Sequence, residues 1–209
     1  MSLRHKMKIA VLDGTHDKQG MTHQLIEAFQ RGISSVKPDF DLKIFDLLDS
    51  DIKFCNGCNT CTMDKALINA KCLIDDKAEE IKKEALDCDV LVVASPVYEY
   101  SVSSSMKRFL ERCLTLVTFR FGPSPRAKPV KHKQGVVLCA SGAPSPINHV
   151  MGMTLYPRLM LRLLCKLFRC RKVKMLFAGG MRGSEKLRAK WVQKAEKVGY
   201  KIGKKLISS

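Results

Sequence analysis

The sequence predicts one doubly wound α/β domain over residues 1–209, with a five-stranded parallel sheet of order 2-1-3-4-5 and helices on both faces. Three observations carry that expectation. Short apolar runs alternate with segments whose apolar residues recur at helical spacing, the pattern of repeated βαβ units. Polar, glycine-bearing or proline-bearing loops follow several of the apolar runs directly. At 209 residues the chain fits one such domain and is long enough to bury a real core.

Lys8 to Asp13 (KIAVLD) reads as a buried first strand, and Gly14 to Thr22 as a polar loop. Thr22 is expected to cap a helix whose apolar stripe is Leu25, Ile26, Phe29 and Ile33. Asp41 to Leu47 (DLKIFDL) alternates as a second strand, and a cysteine-rich loop at about 54–74 follows it. Asp75 or Asp76 then begins a helix that turns Ile81, Ala85 and Leu86 inward. Val90 to Ser95 (VLVVAS) is apolar throughout, as a central parallel strand must be. A helix from Ser104 to Val117 carries Met106, Phe109, Leu110, Cys113 and Val117 on its inner side.

Phe121 to Gln134 is a basic, proline-rich connection expected at the surface. Gly135 to Ala140 (GVVLCA) reads as the fourth strand, and Ser141 to Asn148 as another glycine and proline loop. The next helix, Tyr156 to Arg169, is expected to bury Leu159, Leu163 and Leu167. Lys172 to Phe177 (KVKMLF) makes the fifth strand, and Glu185 to Leu206 a last helix with Leu187, Trp191, Ala195, Val198 and Ile202 inside.

Composition narrows the class. Hydrophobic content of 45% and charged content of 27% are those of an ordinary globule, and no stretch has the apolar length of a membrane span. Met1 to Lys6 is short, basic and runs into a strand, unlike a signal peptide. Nine cysteines, an odd number, point to a reducing cytoplasm rather than a disulfide framework. The formal charge of +17 would attract nucleic acid, an anionic membrane or an acidic protein, although solvated lysine-rich helix faces commonly produce it. The basic helices lack the interleaved aromatics that stack on bases, so nucleic acid is not the expected partner.

The segment Phe54-Cys55-Asn56-Gly57-Cys58-Asn59-Thr60-Cys61, with Cys72 beyond it, crowds three thiols into one loop and leaves a fourth in chain reach. Four thiolates suit a [4Fe–4S] cluster, one per iron. They also suit a zinc tetrahedron, and unliganded thiols are the third reading.

The predicted strand order brings two loops to one crevice. Gly14-Thr15-His16-Asp17-Lys18-Gln19-Gly20-Met21-Thr22 lies over a helix start, where unpaired N–H groups favour a phosphate. Thr15 and Thr22 add hydroxyls there and Lys18 adds charge. Ser95-Pro96-Val97-Tyr98-Glu99-Tyr100-Ser101 begins at the adjacent strand end and would face a flavin ring, so the two loops together describe a flavin mononucleotide pocket. Arg126, Lys128, Lys131 and Lys133 are candidates for a nucleotide 2′-phosphate, with a solvated basic loop as the alternative. His16, His23, His132 and His149 read as solvated or capping residues, and no catalytic triad is evident.

On these residues the chain resembles the NADPH-dependent FMN reductase branch of the flavodoxin-like superfamily, and within it the iron–sulfur flavoproteins. The resemblance runs from Lys8 to Arg112 through KIAVLDGTHDKQGMT, CNGCNTC with Cys72 and Asp75-Asp76, and SPVYEYSVSSSMKRFLER. It implies FMN phosphate held between Gly14 and Thr22, the isoalloxazine against Pro96, Val97 and Tyr98, and Ser141 and Gly142 on its other side. It also implies NAD(P)H as co-substrate, a quinone, other small acceptor or acidic redox protein as oxidant, a cluster on Cys55, Cys58, Cys61 and Cys72, and a cytoplasmic homodimer or homotetramer. The flavin would carry the chemistry, with no catalytic side chain. Two departures stand out. Where relatives carry Ser-Pro-Arg and Asn-Thr, this loop reads Thr15-His16-Asp17 and Met21-Thr22, which weakens phosphate binding; and ten residues separate Cys61 from Cys72, more than in cluster-bearing relatives.

Overall fold

The computed structural model describes residues 6–37, 39–63, 72–118, 124–125, 127–181 and 183–207. Runs apolar on both sides of the chain can be satisfied only in the middle of a covered sheet, and that is where they lie. Strand β1 (Met7–Asp13) and strand β3 (Val90–Tyr98) pair in parallel at the centre, with β2 (Phe40–Asp46) outside β1. On the other side β3 pairs in parallel with β7 (Val130–Ala140), and β7 with β8 (Cys170–Ala178). A short β4 (Ser101–Val102) folds back antiparallel on β3. The order is therefore β2-β1-β3-β7-β8 with β4 attached to β3. The five-strand expectation holds for the parallel strands, and the hairpin adds a sixth. A separate ribbon joins β5 (Val117–Thr118) to β6 (Ser124–Pro125).

Alternate strand residues feed two cores. Ile9, Val11, Val92, Val136 and Leu138 pack under α1 (Met21–Ser34) and the last helix, α7 (Glu185–Ile207). Leu12, Leu91, Val93, Val137 and Cys139 face α3 (Lys77–Asp87), α4 (Ser104–Arg112) and α6 (Leu155–Leu167). Two single-turn helices, α2 (Thr60–Met63) and α5 (Ile147–Val150), lie in the loops. Helices α1 and α7 touch main chain to main chain. A Cβ on Gly32 would strike the Glu196 carbonyl oxygen, and one on Gly199 the Phe29 carbonyl oxygen, so only glycine permits the crossing.

Several boundaries differ from expectation, each for a physical reason. Gly20, not Thr22, is the N-cap of α1, and Thr22 lies buried inside the first turn. Asp76 does cap α3, accepting the Ala78 N–H at 2.9 Å. Helix α4 stops at Arg112 and passes into a 3₁₀ turn, Cys113–Leu116. Strand β7 begins at Val130, before the expected Gly135. On α6 the expected Leu167 is buried, but Leu159 and Leu163 are exposed; the neighbouring apolar residues Leu161, Leu164 and Cys165 are buried in their place, both rows being apolar.

The basic connection is also corrected. Lys133 is buried and gives its ammonium to the carbonyl oxygens of Ala85 and Leu86, at 2.6 and 2.8 Å, closing the end of α3. Lys128 and Lys131 flank the start of β7, at the edge of the sheet opposite the strand ends where the two loops meet, and Arg126 lies outside the described residues. Lys128, Lys131 and Lys133 are therefore not placed for a nicotinamide phosphate there.

Candidate functional site

The carboxyl ends of β1 and β3 stand side by side, with Asp13 in register with Ala94, and Gly14 donates its N–H to the Ala94 oxygen at 2.9 Å. The chain then turns into α1. Its first helical bond runs from the Gln24 N–H to the Gly20 oxygen, which leaves the amides of Met21, Thr22 and His23 outside the helical ladder. Beside them, the Thr15 hydroxyl is buried and has no hydrogen-bond partner. A buried hydroxyl without a partner is costly, and an acceptor bound in the cavity would satisfy it.

The cavity over these groups has a volume of about 190 Å³. Of the sequence-predicted residues, Thr15, His16, Gly20, Met21, Thr22, Pro96, Val97, Tyr98, Ser141 and Gly142 line it. Gly14, Lys18, Glu99 and Ser101 do not. Gly14 sits beneath, where a Cβ would meet Ser103 Oγ at 2.9 Å and the Ala94 oxygen at 3.1 Å. Lys18 is drawn away by carboxylates, its ammonium 3.1 Å from Asp13 and 2.5 Å from Asp46. Asp13 is buried and demands a cation. Partial burial pulls the Lys18 pKa down, and its bonds to Asp46 and Asp13 more than offset this, leaving it above the ordinary value.

Strand β3 runs on past Ser95, so Pro96, Val97 and Tyr98 form a wall rather than a free loop. The hairpin tip places both Glu99 (φ 44°) and Tyr100 (φ 59°) in the left-handed region, a two-residue turn normally made with Asn and Gly. Glu99 thus sits at the tip, and Ser101 points to Met160, 3.8 Å away. Tyr98 is half-exposed, its ring centroid 6.1 Å from that of His16. Ser103 and Ser105, given no role in the sequence reading, join Ser95 in tying the two loops together. Ser105 Oγ donates to the Gly14 oxygen at 3.3 Å and lies 3.3 Å from His16 Nε2, while Ser95 Oγ accepts the Ser103 N–H at 3.0 Å.

The far wall is Ala140, Ser141, Gly142 and Met181. The Ser141 hydroxyl accepts from Asn148 Nδ2 at 2.8 Å, so it shapes the loop. Sequence reasoning did not single out Asp17, Ala140 and Met181 as lining residues. Asp17 brings an acid to the phosphate end, which opposes an anion there.

A second, smaller cavity of about 70 Å³ gathers Cys55, Cys58, Cys61 and Cys72 around it. Gly57 (φ 69°) and Asn59 (φ 58°) supply the left-handed turns that fold the loop back on itself. The Thr60 hydroxyl and amide beside Cys58 hold its thiol below the ordinary range, whereas burial pushes Cys61 up. The remaining cysteines are core residues; burial raises Cys88 to about 11 and Cys113 to about 12. None of the nine is in a disulfide. Among the described residues no three His, Cys, Asp or Glu side chains converge to hold a single metal ion. The thiols instead rim one shared space. The part of this loop from 64 to 71 lies outside the described residues.

Fold and cavity define a class: a doubly wound α/β protein with an open cavity at the switch between β1 and β3. The chain belongs to the NADPH-dependent FMN reductase family, whose sequence model matches residues 7–154. An iron–sulfur flavoprotein of Archaeoglobus fulgidus is 26% identical over 149 residues, covering 71% of this chain and 62% of that one. The chain spans between 45% and 62% of the length of the first iron–sulfur flavoproteins it matches. Among solved structures, the NAD(P)H:quinone oxidoreductase from Methanothermobacter marburgensis superposes with a TM-score of 0.74 at 17% identity, covering 94% of this chain and 97% of the other. An FMN-dependent NADH-azoreductase from Bacillus anthracis, solved with FMN, gives 0.70 at 12% identity, covering 94% and 99%. At these identities the structures establish the fold.

Proposed function

We propose that the chain is an FMN-dependent NAD(P)H oxidoreductase that passes electrons from a reduced nicotinamide to a quinone, another small acceptor or an acidic redox protein. The observation that carries this reading is the partnerless Thr15 hydroxyl beside the open amides of Met21 and Thr22, at the strand ends and facing the Pro96-Val97-Tyr98 wall. FMN, when bound, supplies the hydride acceptor and the route by which electrons leave.

The chain's own residues bind and orient. Thr15 and the α1 amides meet the phosphate, Pro96 and Val97 offer a fixed edge, and the backbone at Ser141 and Gly142 closes the far side. Half-exposed Tyr98 borders the open side, where a nicotinamide would approach. With Lys18 held by Asp13 and Asp46, and Asp17 at the loop, phosphate binding rests on neutral donors and is weaker than a cationic loop would give.

Cys55, Cys58, Cys61 and Cys72 are the ligands we assign to a [4Fe–4S] cluster. What supports this is that the four thiols border one cavity, and a [4Fe–4S] cluster takes one thiolate per iron. A homodimer or homotetramer is supported by the exposed α6 row Leu155, Leu159 and Leu163, and a cytoplasmic setting by nine cysteines that form no disulfide.

The test is FMN titration of anaerobically purified protein, followed by mixing with NADH and with NADPH. Quenching of flavin fluorescence at micromolar protein and bleaching of the bound flavin by a nicotinamide are expected. No quenching overturns the site. Quenching without bleaching by either nucleotide replaces the reductase by an electron carrier of the same fold.

A further inference from the structure

The described parts of the cysteine segment, 54–63 and 72–73, join the fold at Lys53 and Ile74, and one side chain from a distant helix grips both stems. Arg112, the last residue of α4, is buried. One terminal nitrogen donates to the Lys53 oxygen at 2.9 Å and the other to the Ile74 oxygen at 3.1 Å. Both also meet the Asp76 carboxylate, a pair with side chains wholly buried. Asp76 in turn accepts the Lys53 N–H at 2.9 Å, so the Lys53 stem is fastened twice to this ion pair and the Ile74 stem once.

The remaining donor, Nε, is buried with no partner at hydrogen-bond geometry. Arg112 lines the four-cysteine cavity, and Cys72 is the next group after Asp76 to act on its guanidinium. The guanidinium that carries this leftover N–H thus stands at the cavity that the thiols border. A second buried cation, Lys82, donates to the Arg112 main-chain oxygen at 3.4 Å, to Thr115 Oγ1 at 3.0 Å and to Glu79, so it meets the backbone of Arg112 and not the guanidinium that holds the stems.

We infer that Arg112 is the positioning residue of the cysteine site: its fork closes the loop at both stems, and its Nε–H is kept for the sulfur of Cys72 or for an anionic group held among the thiolates. This rests on the cluster reading for its ligand and on the hydrogen bonds alone for its closure. Three donors on one nitrogen of a lysine cannot span two carbonyls and a carboxylate, so Arg112→Lys keeps the charge and loses the clasp.

Two variants, Arg112→Lys and Lys82→Met, are reconstituted anaerobically with iron and sulfide alongside the parent chain. Iron per chain and the rate of iron loss to a chelator are measured. Removing a group that orients metal ligands typically costs about 10- to 100-fold in metal affinity. Arg112→Lys should lose iron faster by about tenfold or more, with FMN affinity unchanged, while Lys82→Met retains iron. Equal loss in both variants, or parental retention in Arg112→Lys, overturns the inference. If the parent chain itself takes up no iron, the cluster reading falls and the clasp is decided separately. Alkylation of Cys55 and Cys72 in the metal-free chain should then be about tenfold faster in Arg112→Lys than in Lys82→Met, and equal rates would refute it.

Discussion

At the strand ends, the larger cavity is framed by main chain whose position follows from the parallel ladder: the Gly14 turn, the start of α1 and the edge of β3 are each fixed by pairing with a neighbour. The four-cysteine cavity is framed by a segment whose described residues lie outside the sheet, and its two stems are tied to a buried ion pair. The first site can vary its side chains and keep its shape, because backbone makes it. The second depends on two residues, Asp76 and Arg112, outside the thiols themselves.

The largest expected effect tests that dependence. Asp76→Ala leaves Arg112 buried without its carboxylate, which typically costs about 3–5 kcal/mol. Urea unfolding should show a loss of that size, with the folded protein still binding FMN. Parallel loss of FMN affinity in the folded fraction would show that the two cavities are one unit.

A middle-sized effect comes from Thr15→Val, for which the two states should move in opposite directions. The flavin-free protein should gain stability, since a buried hydroxyl without a partner is removed and the shape kept. FMN affinity should fall by about 1.5–3 kcal/mol, the range for a hydrogen bond to a charged group. Thermal melts with and without FMN read both. Unchanged affinity would mean that the hydroxyl does not face the phosphate.

Acid should reach both cavities in one window. Burial raises the Asp76 carboxyl, but bonds from Arg112 and from the Lys53 and Ala78 amides more than offset it, so its pKa lies below 3.8. Asp46 is likewise below 3.8, burial being outweighed by Lys18 and the Leu48 N–H. A carboxyl depressed by folding stabilises fully above its unfolded pKa and loses that contribution as pH falls through the folded one. Urea midpoints should therefore hold level with respect to these groups above about pH 5 and drop below it. Asp46→Asn should make the drop shallower, and an identical acid slope would remove Asp46 from the account.

The smallest effect concerns the hairpin. Replacing Glu99 by Asn and Tyr100 by Gly puts left-handed-tolerant residues where the backbone is left-handed, and should stabilise by about 0.5–1 kcal/mol. A gain with slower flavin reduction would mean that the strained turn helps hold Tyr98 in place.

Local chemistry made the first site largely legible: a glycine and threonine loop after KIAVLD, and Pro96-Val97-Tyr98 after VLVVAS, are contiguous signals at strand ends. Lys18 was misread because its partners, Asp13 and Asp46, end neighbouring strands, and the pairing exists only once β1 and β2 are side by side. The α6 face was misread because two adjacent rows are equally apolar. Arg112 gave no local signal, since its partners lie 36 to 59 residues away in the chain. The cysteine spacing announced possible ligands, but what holds their loop is tertiary.

The crossing of α1 over α7 bears on how this chain can change by mutation. At Gly32 and Gly199 the obstacles to a side chain are carbonyl oxygens of the opposing helix, Glu196 and Phe29. Every residue type carries that oxygen, so no exchange of the facing amino acid can make room, and no compensating second-site substitution at the contact exists. In a library randomised at both positions, survivors should return to glycine independently at each. The helix whose first turn borders the larger cavity would thereby be locked to the far end of the chain by two codons with no permitted neighbours.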